Sequence, residues 1–279
     1  MNRVKLLLLP FLVLIIFFTV KGEIMYAQNI AFKSLEEVPD ENFEKLSNYK
    51  VYFGHQSVGY NILNGINDIL QDHDNIRLNI VETSTGADFD APIFAHSRVG
   101  QNRQPISKVD AFVRFIKDGI GDKADIAFFK FCYIDFDAET EINTIFTYYK
   151  AKMLDLKELY PQTTFIHVTV PLMARQTGVK AAVKKLLGRP LWGYDDNIKR
   201  SMFNDLLREE LGKEELLFDL ALIEATFPDG TRNVHQKDGQ SFHALVPEYT
   251  YDGGHLNEKG RRIVAEQLLI FLANLTEGK

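Results

Sequence analysis

The chain has a single cysteine, Cys132, so no intrachain disulfide can form and stability must come from the apolar core. It has no surplus of positive charge. Its net charge is -6, which argues against nucleic acid as a partner, because binding phosphates calls for a basic surface. It has no internal repeat, low-complexity tract or Pro/Gly/Ser-rich linker after residue 30, which favours one domain. It also lacks an apolar run of the roughly 20 residues that span a bilayer comfortably. The longest, Leu6 to Val20, is roughly 15 residues and is interrupted only by Pro10 and Thr19.

That run follows the positive Asn2-Arg3-Val4-Lys5 and precedes Lys21-Gly22, which is the layout of a secretory signal. Cleavage is expected near Gly22 or Ala27, although neither has a clean small-x-small pattern. An uncleaved N-terminal membrane anchor through residues 6–20 is the alternative. The expected organisation is therefore 1–27 signal peptide or anchor and 28–279 one exported domain. That domain would be secreted, periplasmic or attached to the outer face of the membrane. Cys132 lies far from the leader, so lipid attachment through an N-terminal cysteine is excluded.

Hydrophobic residues at 46% and charged residues at 25% are ordinary for a globular protein. Strand-like and helical stretches alternate. Lys50 to Phe53, Ile76 to Val81, Asp125 to Cys132, Thr164 to Val170 and Leu216 to Ala221 read as strands. Val58 to Leu70, Ile106 to Ile116, Glu141 to Leu159, Ile198 to Leu211 and Lys259 to Leu275 read as helices. Such alternation predicts an α/β three-layer sandwich with a mostly parallel central sheet, whose ligands bind beyond the carboxyl ends of the strands.

Two motifs fall at that edge. In Asp252-Gly253-Gly254-His255-Leu256-Asn257 a carboxylate precedes an imidazole by three residues, across two glycines that permit a tight turn. The carboxylate can then hold Nδ1–H of His255 and leave Nε2 free as a base. At the other end of the chain, Ser57 stands in Gly54-His55-Gln56-Ser57-Val58-Gly59, where the first strand gives way to a helix. Each motif has a bland reading as well. Ser57 is a good helix N-cap, and the glycine turn is a plain lead into an Asn257 cap. Together, in this order and at one sheet edge, they read as a Ser57-His255-Asp252 triad.

With these residues in place the chain resembles the SGNH hydrolase superfamily, the GDSL-like esterases and lipases, over roughly residues 48–276. Asp252-x-x-His255-Leu256-Asn257-x-x-Gly260 is close to the family's D-x-x-H-L-N-x-x-G block. The family's G-D-S is here Gly54-His55-Gln56-Ser57, with one residue inserted and no Asp. The resemblance implies a flavodoxin-like SGNH hydrolase fold, Ser57 as nucleophile, and an oxyanion hole from the N–H groups of Ser57 and a second glycine. Gly100 is preferred for that glycine and Gly86 is the alternative. The family's third block, G-x-N-D, is here Lys130-Phe131-Cys132-Tyr133-Ile134-Asp135 and has no Asn. Asn102, Tyr133 and Gln56 are the candidate substitutes for its side-chain donor, and His55 is a candidate supporting or substrate-contacting residue.

The activity this implies is hydrolysis of an acyl ester, acetyl included, on a small molecule or glycan, with no metal or organic cofactor. A sugar O-acyltransferase and a non-catalytic glycan-binding module are the alternatives. The ordinary hydrolase elbow G-x-S-x-G is only half met, since His55 stands where its first glycine belongs. His235 and His243 fall in a polar stretch, Asp229 to Tyr249, read as a loop, and their spacing fits no helical metal pair. Cys132 reads as a small buried hydrophobe, and Trp192 as a packing residue or a sugar-stacking platform. Arg175, Lys180, Lys184, Lys185 and Arg189 read as a solvated helix face before an anion site.

Overall fold

The computed structural model describes residues 32–277, so the leader at residues 1–27 lies outside the described residues. Six parallel strands form the central sheet in the order β2-β3-β1-β4-β5-β6. They are β1 (Lys50–His55), β2 (Ile80–Glu82), β3 (Ile93–Arg98), β4 (Ile126–Phe129), β5 (Thr164–Val168) and β6 (Leu217–Phe218). The helices are α1 (Asp40–Leu46), α2 (Ser57–Asp72), α3 (Pro105–Phe115), α4 (Ile142–Leu159), α5 (Gly178–Leu186), α6 (Asp195–Leu206), α7 (Leu220–Glu224) and α8 (Glu258–Asn274). A separate antiparallel hairpin, β7 (Val234–Lys237) and β8 (Gln240–His243), lies between α7 and α8.

The inner strands are apolar on both faces because helices cover both, as a parallel sheet requires. Successive side chains point to opposite sides. Val51 and Phe53 of β1, with Ile126 and Phe128 of β4, join the core under α1, α2, α7 and α8. Tyr52, Ala127 and Phe129 join the second core, under α3, α4 and α6. This is the three-layer α/β sandwich expected.

Three details differ from the sequence reading. β3 was not anticipated: His96 and Ser97 break its apolar run, yet both are buried, held by polar partners in the sheet. Ile76 to Val81 contributes only an edge strand starting at Ile80, and the last strand stops at Phe218, where Asp219 caps α7 through the N–H of Leu222. Within Asp229 to Tyr249, read as a loop, the chain forms the β7–β8 hairpin, turned at Asp238 and Gly239 with positive φ.

Candidate active site

β1 delivers the chain to the carboxyl edge of the sheet, and α2 begins at once with Ser57. Gln56 occupies the cap position without capping: its side-chain NH₂ instead donates to the carbonyls of Val99 (2.9 Å) and Gly100 (2.8 Å). Gly59 N–H donates to Gln56 O (2.7 Å), while the N–H groups of Ser57 and Val58 are left open, and the positive end of the helix faces the sheet edge. Neither Ser57 N–H nor Gly100 N–H donates to another group among the described residues. Gly100 has φ +54, and a Cβ there would meet the backbone of Lys108 at 2.5 Å, so the tight turn after β3 requires glycine. The alternative, Gly86, packs instead against Gly119, beyond the far end of α3.

The loop before α8 is built on Asp252. Its Oδ1 accepts the N–H of Gly254 (2.9 Å) and of His255 (2.8 Å), and its Oδ2 lies 2.6 Å from Nδ1 of His255. Burial opposes ionisation of Asp252 most strongly, but these hydrogen bonds together outweigh it and hold the carboxyl below its ordinary range. A carboxylate can only accept, so Nδ1 donates, which fixes the tautomer in which Nε2 is the acceptor. Thr250 steadies the same loop, donating from Oγ1 to His255 O (2.7 Å) and accepting from Gly253 N–H (2.9 Å).

The two ends of the chain meet here. The N–H of Leu256 donates to Oδ1 of Asn61 (3.2 Å), and Asn61 lies one helical turn after Ser57 on the same face of α2. Farther along that face, Asp68 pairs with Arg261 at 2.8 Å and Asp72 with Arg262 at 2.6 Å. The stripe through Ser57 therefore runs along α8 and the loop that carries His255. Ser57 is half-buried, and its Oγ makes no hydrogen bond to another described residue.

Tyr133 lies against this loop. Its hydroxyl is 3.4 Å from Nδ1 of His255, and a Cβ on Gly254 would meet the Tyr133 ring at 2.5 Å. Tyr133 is thus on the Asp252 side of the imidazole, away from Nε2. Burial, then the charge of Asp252, pushes its hydroxyl up to about 12, so it stays protonated. The segment is fixed from below. Arg200, buried on α6, donates to the carbonyls of Tyr133 (2.7 Å) and Phe136 (3.1 Å). Asp135, fully buried, accepts from Lys108 Nζ (2.5 Å), Cys132 N–H (2.7 Å) and Arg103 N–H (2.9 Å). Lys108 Nζ also reaches Oδ1 of Asn102 at 3.0 Å, leaving the exposed Asn102 amide with its NH₂ unengaged.

His55 is sealed inside. Its Nδ1 is 2.9 Å from Gln56 O, which can only accept, so Nδ1 donates and Nε2 must accept from His96 Nδ1 at 3.0 Å. Burial drives His55 down to about 3, so it is neutral at physiological pH. His55 is fully buried with both ring nitrogens engaged, and it braces the Gln56 carbonyl. Cys132 is buried as expected. His235 bonds Asn233 at 2.7 Å, and no cluster of three or more His, Cys, Asp or Glu among the described residues is arranged to hold a metal ion.

Sequence reasoning did not find Asn61, Thr250, His96, Lys108 or Arg200. Asn61 had a signal, its i+4 spacing from Ser57. Thr250 lies within five residues of both its partners; His96, Lys108 and Arg200 depend on partners distant in sequence.

No protein-family model matches the chain, and comparison with curated proteins returns no match. Among solved structures it is similar to a candidate platelet activating factor of Streptococcus pneumonia, at 14% identity and TM-score 0.49, over 85% of this chain and 94% of that one. It is similar to a candidate GDSL-like lipase of Parabacteroides merdae, at 12% identity and TM-score 0.48, over 82% and 99%. It is also similar to a candidate lipolytic protein of the G-D-S-L family from Desulfitobacterium hafniense, at 12% identity and TM-score 0.45, over 80% and 99%.

Proposed function

We propose that the chain is a serine esterase that hydrolyses an acyl ester, acetyl foremost, through Ser57, His255 and Asp252. The observation that carries this reading is the 2.6 Å contact between Asp252 and Nδ1 of His255, in a loop hydrogen-bonded to the helix that Ser57 begins. That contact fixes Nδ1–H on Asp252 and so directs Nε2, the other ring nitrogen, to the role of proton acceptor at the sheet edge where a serine hydroxyl has no other partner.

In the reaction, Ser57 Oγ attacks the ester carbonyl while His255 Nε2 takes its proton and Asp252 stabilises the imidazolium. The Ser57 and Gly100 N–H groups, with the open end of α2, receive the charge that develops on the carbonyl oxygen. Asn102 supplies the side-chain donor that Asn provides elsewhere in the resembling family: Lys108 holds its Oδ1, which turns its NH₂ outward. Both N–H bonds of Gln56 are spent on Val99 and Gly100, so it shapes the hole without entering it. His255 then gives its proton to the departing alcohol and activates the water that frees the acid. The same acyl-enzyme would pass its acyl group to a sugar hydroxyl if water were excluded.

Hydrolysis of 4-nitrophenyl acetate by the parent chain and by Ser57→Ala tests the reading. Turnover should fall by about 10³-fold or more in the variant. Unchanged turnover removes Ser57 as nucleophile, and an acyl glycan formed in place of free acid would identify a transferase.

A further inference from the structure

After Ala174, and before α6, the chain makes an excursion whose residues belong to neither core cluster. Residues 175–189 hold five basic residues (Arg175, Lys180, Lys184, Lys185, Arg189) and no acidic one, in a chain of net charge -6. Within this stretch α5 turns its apolar side outward. Val179, Val183 and Leu186 recur at i, i+4 and i+7 and, with Leu187 just after, form one stripe; Val179 is 81% exposed and Leu186 87%. Ala181, on roughly the opposite side of the helix, is its buried residue. Lys184 and Lys185 flank Ala181 on the two sides of the helix away from the stripe, where long side chains can still reach toward its edges; Lys184 Nζ also donates to Gln176 Oε1 at 3.1 Å. The chain's only tryptophan, Trp192, is exposed and stands against Lys184 of the same helix, whose Nζ is 5.0 Å from the ring centroid.

Four large apolar side chains in water are costly unless something covers them. An acidic sugar polymer would satisfy the lysines and leave the stripe wet. A bilayer with anionic headgroups takes both, the stripe into the acyl boundary and the cations against the phosphates. At nine residues α5 is too short to span a membrane, so its place is along the surface.

We infer that α5 and Trp192 form a docking surface for an anionic phospholipid bilayer. The surface adjoins the candidate active site: Ala174, the residue before Arg175, donates its N–H to Gly253 O at 2.8 Å, in the loop that carries His255. Docking there holds the triad at the membrane surface, within reach of esters carried on lipids or on polymers close to it.

Trp192 makes the test specific, because its emission reports this surface regardless of what residues 6–20 do. The full chain is mixed with vesicles of phosphatidylglycerol and phosphatidylcholine, or of phosphatidylcholine alone, each with or without brominated acyl chains. With phosphatidylglycerol present, Trp192 emission should shift to the blue and be quenched by bromine, and high salt should reverse both. Neutralising Lys184 and Lys185 (Lys→Gln) should lower the docked-to-undocked ratio about fivefold for each charge removed. Val183→Ser with Leu186→Ser, both exposed and outside the core, should abolish quenching.

Vesicle-bound protein whose Trp192 is not quenched would overturn the inference, as would a blue shift that follows protein concentration or a soluble anionic glycan and ignores lipid. Ser57→Ala should dock like the parent, so loss of docking and loss of the esterase reading are separate outcomes.

Discussion

Replacing Asp252 by Asn probes the base without disturbing the fold. The Asn oxygen can keep the two backbone bonds that Oδ1 accepts, from Gly254 at 2.9 Å and His255 at 2.8 Å. Its NH₂ then faces Nδ1 of His255 across the 2.6 Å contact, donor against donor. The imidazole escapes by moving its proton to Nε2, the atom that must receive the Ser57 proton. Turnover should fall on the order of 10⁴-fold, about 5.5 kcal/mol of barrier. Stability should change far less. Two of three hydrogen bonds survive unchanged, and the third becomes a neutral amide–imidazole bond in a partly solvated loop, so the loss is about 1–2 kcal/mol. Steady-state 4-nitrophenyl acetate hydrolysis measures the first effect and urea unfolding the second. A folded Asp252→Asn variant within tenfold of the parent, beside an inactive Ser57→Ala, would refute this role for Asp252.

Other substitutions examine the surroundings. Asn102→Ala should cost about 10²–10³-fold in kcat and, because buried Lys108 loses one acceptor but keeps Asp135, about 1–2 kcal/mol in urea unfolding. Gly254→Ala puts a methyl 2.5 Å from the Tyr133 ring, so the loop or the ring must shift; kcat should drop at least tenfold while circular dichroism stays that of the parent. Lys108→Met strands the carboxylate of Asp135 in the core and should cost about 3–5 kcal/mol in urea unfolding. Stability should also fall in acid. Burial holds His55 at about 3 in the folded chain against 6.5 when exposed, so its contribution is complete above pH 6.5 and is lost as pH falls toward 3. The slope is about 1.4 kcal/mol per pH unit for that proton, and urea midpoints measured from pH 7.5 to 4.5 check it.

The parts of this molecule legible in the sequence are those where local pattern and environment agree. β1, α2, α4 and α8 carry uninterrupted apolar periodicity and lie where the spacing puts them. The Asp252–His255 contact was legible because both residues belong to one short turn. β3 was not, since His96 and Ser97 look polar in isolation and become core only when His55 and Tyr52 of the neighbouring strand bond them. Asp135 and Lys108 are a like case: they are 27 residues apart, and only the fold brings them together as a fully buried pair. The basic stretch at 175–189 was legible as charge, but the outward turn of its apolar stripe depends on which side of α5 the protein covers.

Labelling with a fluorophosphonate, followed by peptide mass spectrometry, asks whether Ser57 is made nucleophilic by His255. The expected result is one covalent adduct, on Ser57, formed by the folded parent and lost on urea unfolding and in His255→Ala. Modification of another residue, or a Ser57 that remains unlabelled in folded protein, would contradict the assignment of this site.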